Sequence, residues 1–157
     1  MTLTAKILLQ ILATESSSSD LSSTTRVTNV SRTVNFASGT GANQAQIVWS
    51  DSRTIAADAT DFIEFANLDD DRGALAISAL KLIYVRNTGT VLIVAPVGDP
   101  NIGGISVPPG GTILLANPSA AGWGNQDIDQ TLAFANASIT TAATYDIILI
   151  GEGGIGS

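Results

Sequence analysis

The chain is written in short apolar, β-branched runs, each closed by a turn residue, and this punctuation constrains its fold more than any other feature. Val91-Leu92-Ile93-Val94 runs out at Pro96, Ile113-Leu114-Leu115 at Asn117-Pro118, and Ile147-Ile148-Leu149-Ile150 at Gly151. Runs this short, bounded by Gly, Pro or Asn, suit strands joined by tight turns rather than helices. Elsewhere the sequence alternates. In Asp61–Ala66, Phe62, Glu64 and Ala66 stand opposite Ile63 and Phe65, and Thr24–Phe36 alternates among β-formers as a strand with one exposed face does. About nine or ten such strands, spaced by turn signals, predict an all-β chain built as an antiparallel sandwich. Asn67–Ala79 is the one exception. Asp69-Asp70-Asp71 offers a cap and first-turn acids, and Ala74, Leu75, Ala76 and Ala79 favour helix against Gly73, so a helical turn or a wide loop is expected there.

At 157 residues the chain suits one core, large enough to stand without disulfides. Thr4–Leu12 reads as a first strand rather than a secretion signal, with Ile7, Leu9 and Ile11 on one face and Leu8, Gln10 and Leu12 on the other. Both faces are largely apolar, so both need cover. Glu15–Ser23, with four consecutive serines at Ser16–Ser19, reads either as a flexible hinge or as an ordinary loop. The expected organisation is an arm and hinge over residues 1–23, a sandwich over 24–151 and a fraying glycine-rich tail over 152–157.

The side chains argue against catalysis. With no Cys and no His, zinc sites and Ser-His-Asp or Cys-His catalysis are excluded, and no enzyme or cofactor is expected. Lys81, between Leu80 and Leu82, reads as an outward, solvated strand residue rather than the base of a Ser-Lys dyad. The acidic run fails the EF-hand test. Counted from Asn67, Arg72 takes the sixth position where glycine is required, and Ser78 the twelfth where a bidentate glutamate is required. A solvated capping run is the default, with an irregular calcium site as the alternative. Gly39-Thr40-Gly41 is turn chemistry, without the third glycine of a nucleotide loop. Trp123, set between Gly122 and Gly124, is either a sugar or partner contact or a lid over one end of the sandwich.

Only 13% of residues are charged, and the net charge is −7. The seven cations are dispersed through residues 1–86 and form no basic face, so nucleic acid is not an expected partner. No stretch approaches the ~20 apolar residues of a membrane span. A weakly charged surface rich in Ser, Thr, Asn, Gln, Gly and Ala suits a protein that packs into an assembly. Strand edges then favour closed symmetry, with a trimer expected first and a dimer second. The candidate partner contacts are Ile7, Leu9 and Ile11 of the first strand and Trp123, with Lys6, Arg26 and Arg32 as anchors for an acidic partner.

Asp58 to Gly151 resembles a group of small virion proteins encoded beside the head genes of tailed bacteriophages. The residues that carry the resemblance are Leu82-Ile83-Tyr84-Val85-Arg86-Asn87-Thr88, Val107-Pro108-Pro109-Gly110-Gly111-Thr112-Ile113-Leu114-Leu115, Gly122-Trp123 and Thr144-Tyr145-Asp146-Ile147-Ile148-Leu149-Ile150-Gly151. It implies a jelly-roll-like sandwich on the capsid surface of a virion, made in the host cytoplasm. The implied role is decoration or cement, the implied partner is the major capsid protein, and there is no catalytic motif to transfer. The first 57 residues lie outside it. The alternative reading is a carbohydrate- or receptor-binding β-module of a tail fibre or surface lectin, acting through Trp123 with Asn125, Gln126, Asp127 and Asp129.

Overall fold

The computed structural model describes residues 2–71, 73–90, 92–96, 104–123 and 131–155. Its elements are β1 (Thr4–Ser19), β2 (Ser22–Ser38), β3 (Gln44–Ala45), β4 (Ile47–Ile55), β5 (Thr60–Glu64), β6 (Leu68–Asp70), β7 (Gly73–Asn87), β8 (Leu92–Pro96), β9 (Ile105–Val107), β10 (Thr112–Ala116), β11 (Thr131–Asn136) and β12 (Ala143–Ile155). The described residues contain no helix.

Two sheets face each other across the core. One has the order β10-β7-β12-β4, with the short β6 also on β7, and the other has the order β5-β11-β8-β9. The paired strands nest along the chain: β4 with β12, β5 with β11, β7 with β10 and β8 with β9, all antiparallel. The expected antiparallel sandwich is therefore present. Alternation supplies its core: Ile63 of β5 and Phe65 just beyond it, Leu132 and Phe134 of β11, Ile83 and Val85 of β7, and Tyr145, Ile147 and Leu149 of β12 are all buried. Each such side chain stabilises the fold by about 1.5–3 kcal/mol through burial. Phe134 and Tyr145 stack across the two sheets with ring centroids 4.5 Å apart.

A third layer comes from the N-terminal residues. β1 pairs with β2 in register from Thr4↔Ala37 to Ser19↔Ser22, and β2 adds β3 in parallel at its base. At that base Leu3, Ala5, Ile7, Val34 and Phe36 cover Leu82, Tyr84, Ile148 and Ile150 on the outer face of the larger sheet. The larger sheet is thus apolar on both faces, and the hairpin base shields the second of them.

Four sequence expectations are corrected. Ser16–Ser19 are neither hinge nor loop but strand, opposed by Thr25, Thr24, Ser23 and Ser22, and Ser/Thr pairs across a ladder favour strand. The arm thus ends near Ser38 instead of at residue 23, and its backbone partner is its own β2. Over Asn67–Ala79 the Asp69-Asp70-Asp71 run forms no cap. It enters a tight hairpin in which Asp70 opposes Gly73, and β7 begins at once, with Leu75 and Ile77 buried at period two. Tertiary pairing overrides the local helix propensity of the alanines. The glycine-rich end continues β12 as far as Ile155 against Leu75–Leu80. Glycine is required there by close approach, since a Cβ on Gly153 would collide with the Ala76 carbonyl oxygen.

The fourth correction is Lys81, which is fully buried. The ladder opposes Leu82 to Ile150 and Leu80 to Gly151, leaving Lys81 as the extra residue of a β-bulge. The bulge breaks the alternation, so Leu80 joins the main core while Leu82 joins the outer cluster beneath the hairpin base. Lys81 Nζ is held by Glu152 Oε1 at 2.6 Å and donates to the Gly41 carbonyl at 2.9 Å.

Candidate assembly interface

Beyond Leu9 and Arg32 the hairpin leaves the sandwich behind. Every residue from Leu8 to Arg32 is exposed. In antiparallel pairing directly opposed residues share a face. One face therefore carries Ile7 with Val34, Leu9 with Arg32, Ile11 with Val30, and Glu15 with Arg26. The other carries Lys6 with Asn35, Leu8 with Thr33, Leu12 with Asn29, and Thr14 with Val27. Leu9 and Ile11 on the first face are 45% and 53% exposed, and Leu8 and Leu12 on the second 62% and 64%. Isolated apolar side chains on a surface need no explanation, but Leu8, Leu9, Ile11, Leu12, Val27 and Val30 exposed together on both faces of one ribbon do. A two-stranded ribbon is marginal in water without a covered face.

The first face closes over a cleft of about 290 Å³ against the edge of the larger sheet, where Ile7, Leu9 and Arg32 confront Leu114, Leu115 and Trp123. Trp123 is half-buried. It packs on the main core, and its backbone makes a bridge with Leu80, donating to the Leu80 carbonyl at 2.7 Å and accepting from Leu80 N–H at 3.1 Å. It therefore both packs on the core and forms a wall of the cleft. Of the seven contacts expected from sequence, Ile7, Leu9, Arg32 and Trp123 meet at this cleft. Ile11 and Arg26 lie farther out on the same face of the arm, and Lys6 lies on the opposite face. Sequence reasoning did not single out Leu114 and Leu115, which read only as part of an apolar strand and are exposed on the edge strand β10.

Charge is distributed to match. Arg53 pairs with Asp61 at 2.7 Å and approaches Asp51 at 3.8 Å, and Lys81 pairs with Glu152. Lys6, Arg26 and Arg32, all on the arm, make no ion pair among the described residues. Asp61 also ties the two sheets together by accepting a hydrogen bond from the Tyr145 hydroxyl at 2.8 Å. Burial, reinforced by that bond to Asp61, pushes the Tyr145 phenol well above the ordinary tyrosine range.

Chemistry elsewhere is sparse. Asp51, Asp69, Asp70 and Asp71 border one open cleft, but among the described residues no three His, Cys, Asp or Glu side chains gather to hold a metal ion. A second cleft, of about 350 Å³, places the exposed Phe62 beside Arg53, Glu64 and Asn67. Asn125, Gln126, Asp127 and Asp129 lie outside the described residues. No helix of the described residues is long and apolar enough to cross a membrane. Compared with protein-family models, curated proteins and solved structures, the chain finds no match.

Proposed function

We propose that the protein is a structural component of a phage virion, a decoration or cement protein that binds the major capsid protein and stabilises the capsid. The observation that carries the assembly reading is the arm: a ribbon with exposed aliphatic side chains on both faces, projecting from a sandwich whose own core is already complete. Such a ribbon gains stability only when another protein covers it, and its few long charged side chains keep the ordering cost of that cover low. The capsid reading adds the resemblance of Asp58–Gly151 and the nesting of four antiparallel pairs, which is the order in which a jelly roll wraps. Many modest contacts on a repeating shell then add up through effective concentration.

The test is addition of purified protein to undecorated particles, followed by heating. Stoichiometric binding and a raised disruption temperature are expected, with little change on adding salt because charge pairing is a minor contribution. Failure to bind, or binding abolished by about 0.3 M salt, contradicts the proposal. The cleft beside Phe62 favours one second reading, a sugar- or receptor-binding module. A glycan array on which wild type binds and Phe62→Ala does not is its signature.

A further inference from the structure

We infer that the outer edge of β10, roofed by the first face of the arm, takes one further strand: an extended segment of a partner protein, with aliphatic side chains and a carboxylate on the side that meets the arm. This deepens the proposed function, on which it rests only for the partner being another protein.

The first argument is the edge. β10 ends the larger sheet, and among the described residues no strand pairs with its outer side. Asn87 N–H donates to the Gly111 carbonyl and Asn117 N–H to the Lys81 carbonyl, both at 2.9 Å. In an antiparallel ladder such bonds recur at every second residue, so Thr112, Leu114 and Ala116 turn their backbone groups away from β7. The other edges of the sandwich are guarded. β5 carries Asp61 and Glu64, β9 is 3 residues long, and β4 borders a cleft lined by Asp51, Asp69, Asp70 and Asp71. Charge and shortness are the usual means of keeping an edge from pairing. Thr112–Ala116 has no charge and no proline, and Leu114 and Leu115 on it are exposed.

The second argument is the roof. The arm starts over β12 and β7, where its base covers Ile148, Ile150, Leu82 and Tyr84. Leu114 opposes Tyr84 and so lies on that same face of the sheet, and there Ile7 and Leu9 confront it across the cleft. The arm therefore crosses the sheet and passes over its edge. Ile11 stands two residues beyond Leu9, about 7 Å at ~3.4 Å per residue, whereas neighbouring strands lie only ~4.8 Å apart. Leu9, Ile11 and Val30, each about half exposed, thus overhang the place of the next strand. Aliphatic side chains on one face of an added strand would fill the space beneath them.

The third argument is charge. Arg32 stands opposite Leu9 on this face, lines the cleft and makes no ion pair among the described residues. Its guanidinium offers a fixed fork to one carboxylate on the incoming strand. Main-chain bonds along β10 then supply affinity, and the side chains under the arm supply selectivity.

The test uses the full chain and a fluorescein-labelled capped peptide, Thr-Val-Thr-Asp-Thr-Val-Thr-Val-Thr, which places aspartate and valines on one face. Anisotropy is expected to show saturable binding below about 1 mM. Leu114→Pro removes an outward donor without touching the β7 ladder and is expected to abolish binding at an unchanged urea midpoint. Lysine in place of the peptide's aspartate is expected to weaken binding about tenfold, and Arg32→Glu to restore it. N-methylation of alternate peptide amides leaves the protein untouched. Of the two alternating series, one is expected to bind like the parent and the other not at all, because a strand pairs along one edge.

No binding by about 1 mM, or two N-methyl series that behave alike, overturns the inference. So does a Leu114→Pro protein that binds the peptide as wild type does. Self-association that Leu114→Pro alone dissolves, read by light scattering, gives the edge to a second copy and overturns it as well. Particles separate this inference from the capsid proposal. A wild type that binds the peptide but no particles ends that proposal and leaves the strand site standing, whereas Leu114→Pro that decorates particles as wild type does has the reverse effect.

Discussion

Glu152→Gln is expected to be the most damaging single change at the surface of the sandwich, and more damaging than Lys81→Met, although both break the same ion pair. Lys81 is 0% exposed, and its ammonium has two partners, Glu152 Oε1 at 2.6 Å and the Gly41 carbonyl at 2.9 Å. Glu152→Gln replaces the carboxylate by a neutral amide and leaves a buried cation facing only neutral oxygens, and stranding a buried charge costs about 3–5 kcal/mol. Glu152 keeps 17% of its side chain in solvent, which places the loss near 3 kcal/mol. Lys81→Met leaves instead a carboxylate that can turn toward water, and thioether packing replaces the stem, so a loss of about 1–2 kcal/mol is expected. The double variant replaces the pair by neutral groups of similar volume and is expected within about 1 kcal/mol of wild type. Urea titration near neutral pH, followed by tryptophan fluorescence, reads these as shifts of the midpoint at unchanged slope. Equal losses for the two single variants, or a larger loss for Lys81→Met, would refute the reasoning that the bulge seals the ammonium away from solvent.

Two other perturbations have defined outcomes. Asn136 donates to the Ala56 and Thr141 carbonyls at 3.0 and 2.8 Å and accepts from Ser138 N–H at 3.0 Å, so Asn136→Ala should cost about 3 kcal/mol by leaving loop groups unpaired, measured by the same titration. Tyr145 should stay protonated in the folded protein. Its pKa is raised above the unfolded value of 10.0, so the unfolded chain releases this proton first and stability falls as pH rises past about 10. Phenolate absorbance from Tyr145 should therefore appear only with unfolding, and Tyr145→Phe should flatten that part of the stability profile; an early Tyr145 phenolate step in the folded state would contradict it.

Most of the sandwich is legible in the sequence because period-two burial is a local signal. Ile63 and Phe65 point inward where the alternation places them, and Ile147 and Leu149 do the same in β12. Lys81 is illegible because a bulge is set by how β7 meets β12, and the string Leu80-Lys81-Leu82 reads identically with or without it. Thr24–Phe36 reads as a strand, but its pairing with β1 is hidden for a related reason. Its turn at Asp20–Leu21 has no residue at positive φ and no Asn-Gly signal, so nothing local marks a hairpin there. Within the interface, Ile7, Leu9 and Ile11 are recoverable because a strand apolar on both faces is visible in one dimension. Leu114 and Leu115 are not, since β10 becomes an edge only through the sheet order.

The most direct measurement of the central claim is to excise the arm and keep its base. Joining Ile7 to Val34 through an Asn-Gly turn removes residues 8–33 while retaining Leu3, Ala5, Ile7, Val34 and Phe36 over the outer cluster. The shortened and full-length proteins are then compared for thermal unfolding of the sandwich and for cosedimentation with undecorated particles. The account predicts a sandwich that melts as before and binds no particles. A shortened protein that still decorates the particles at full occupancy contradicts it.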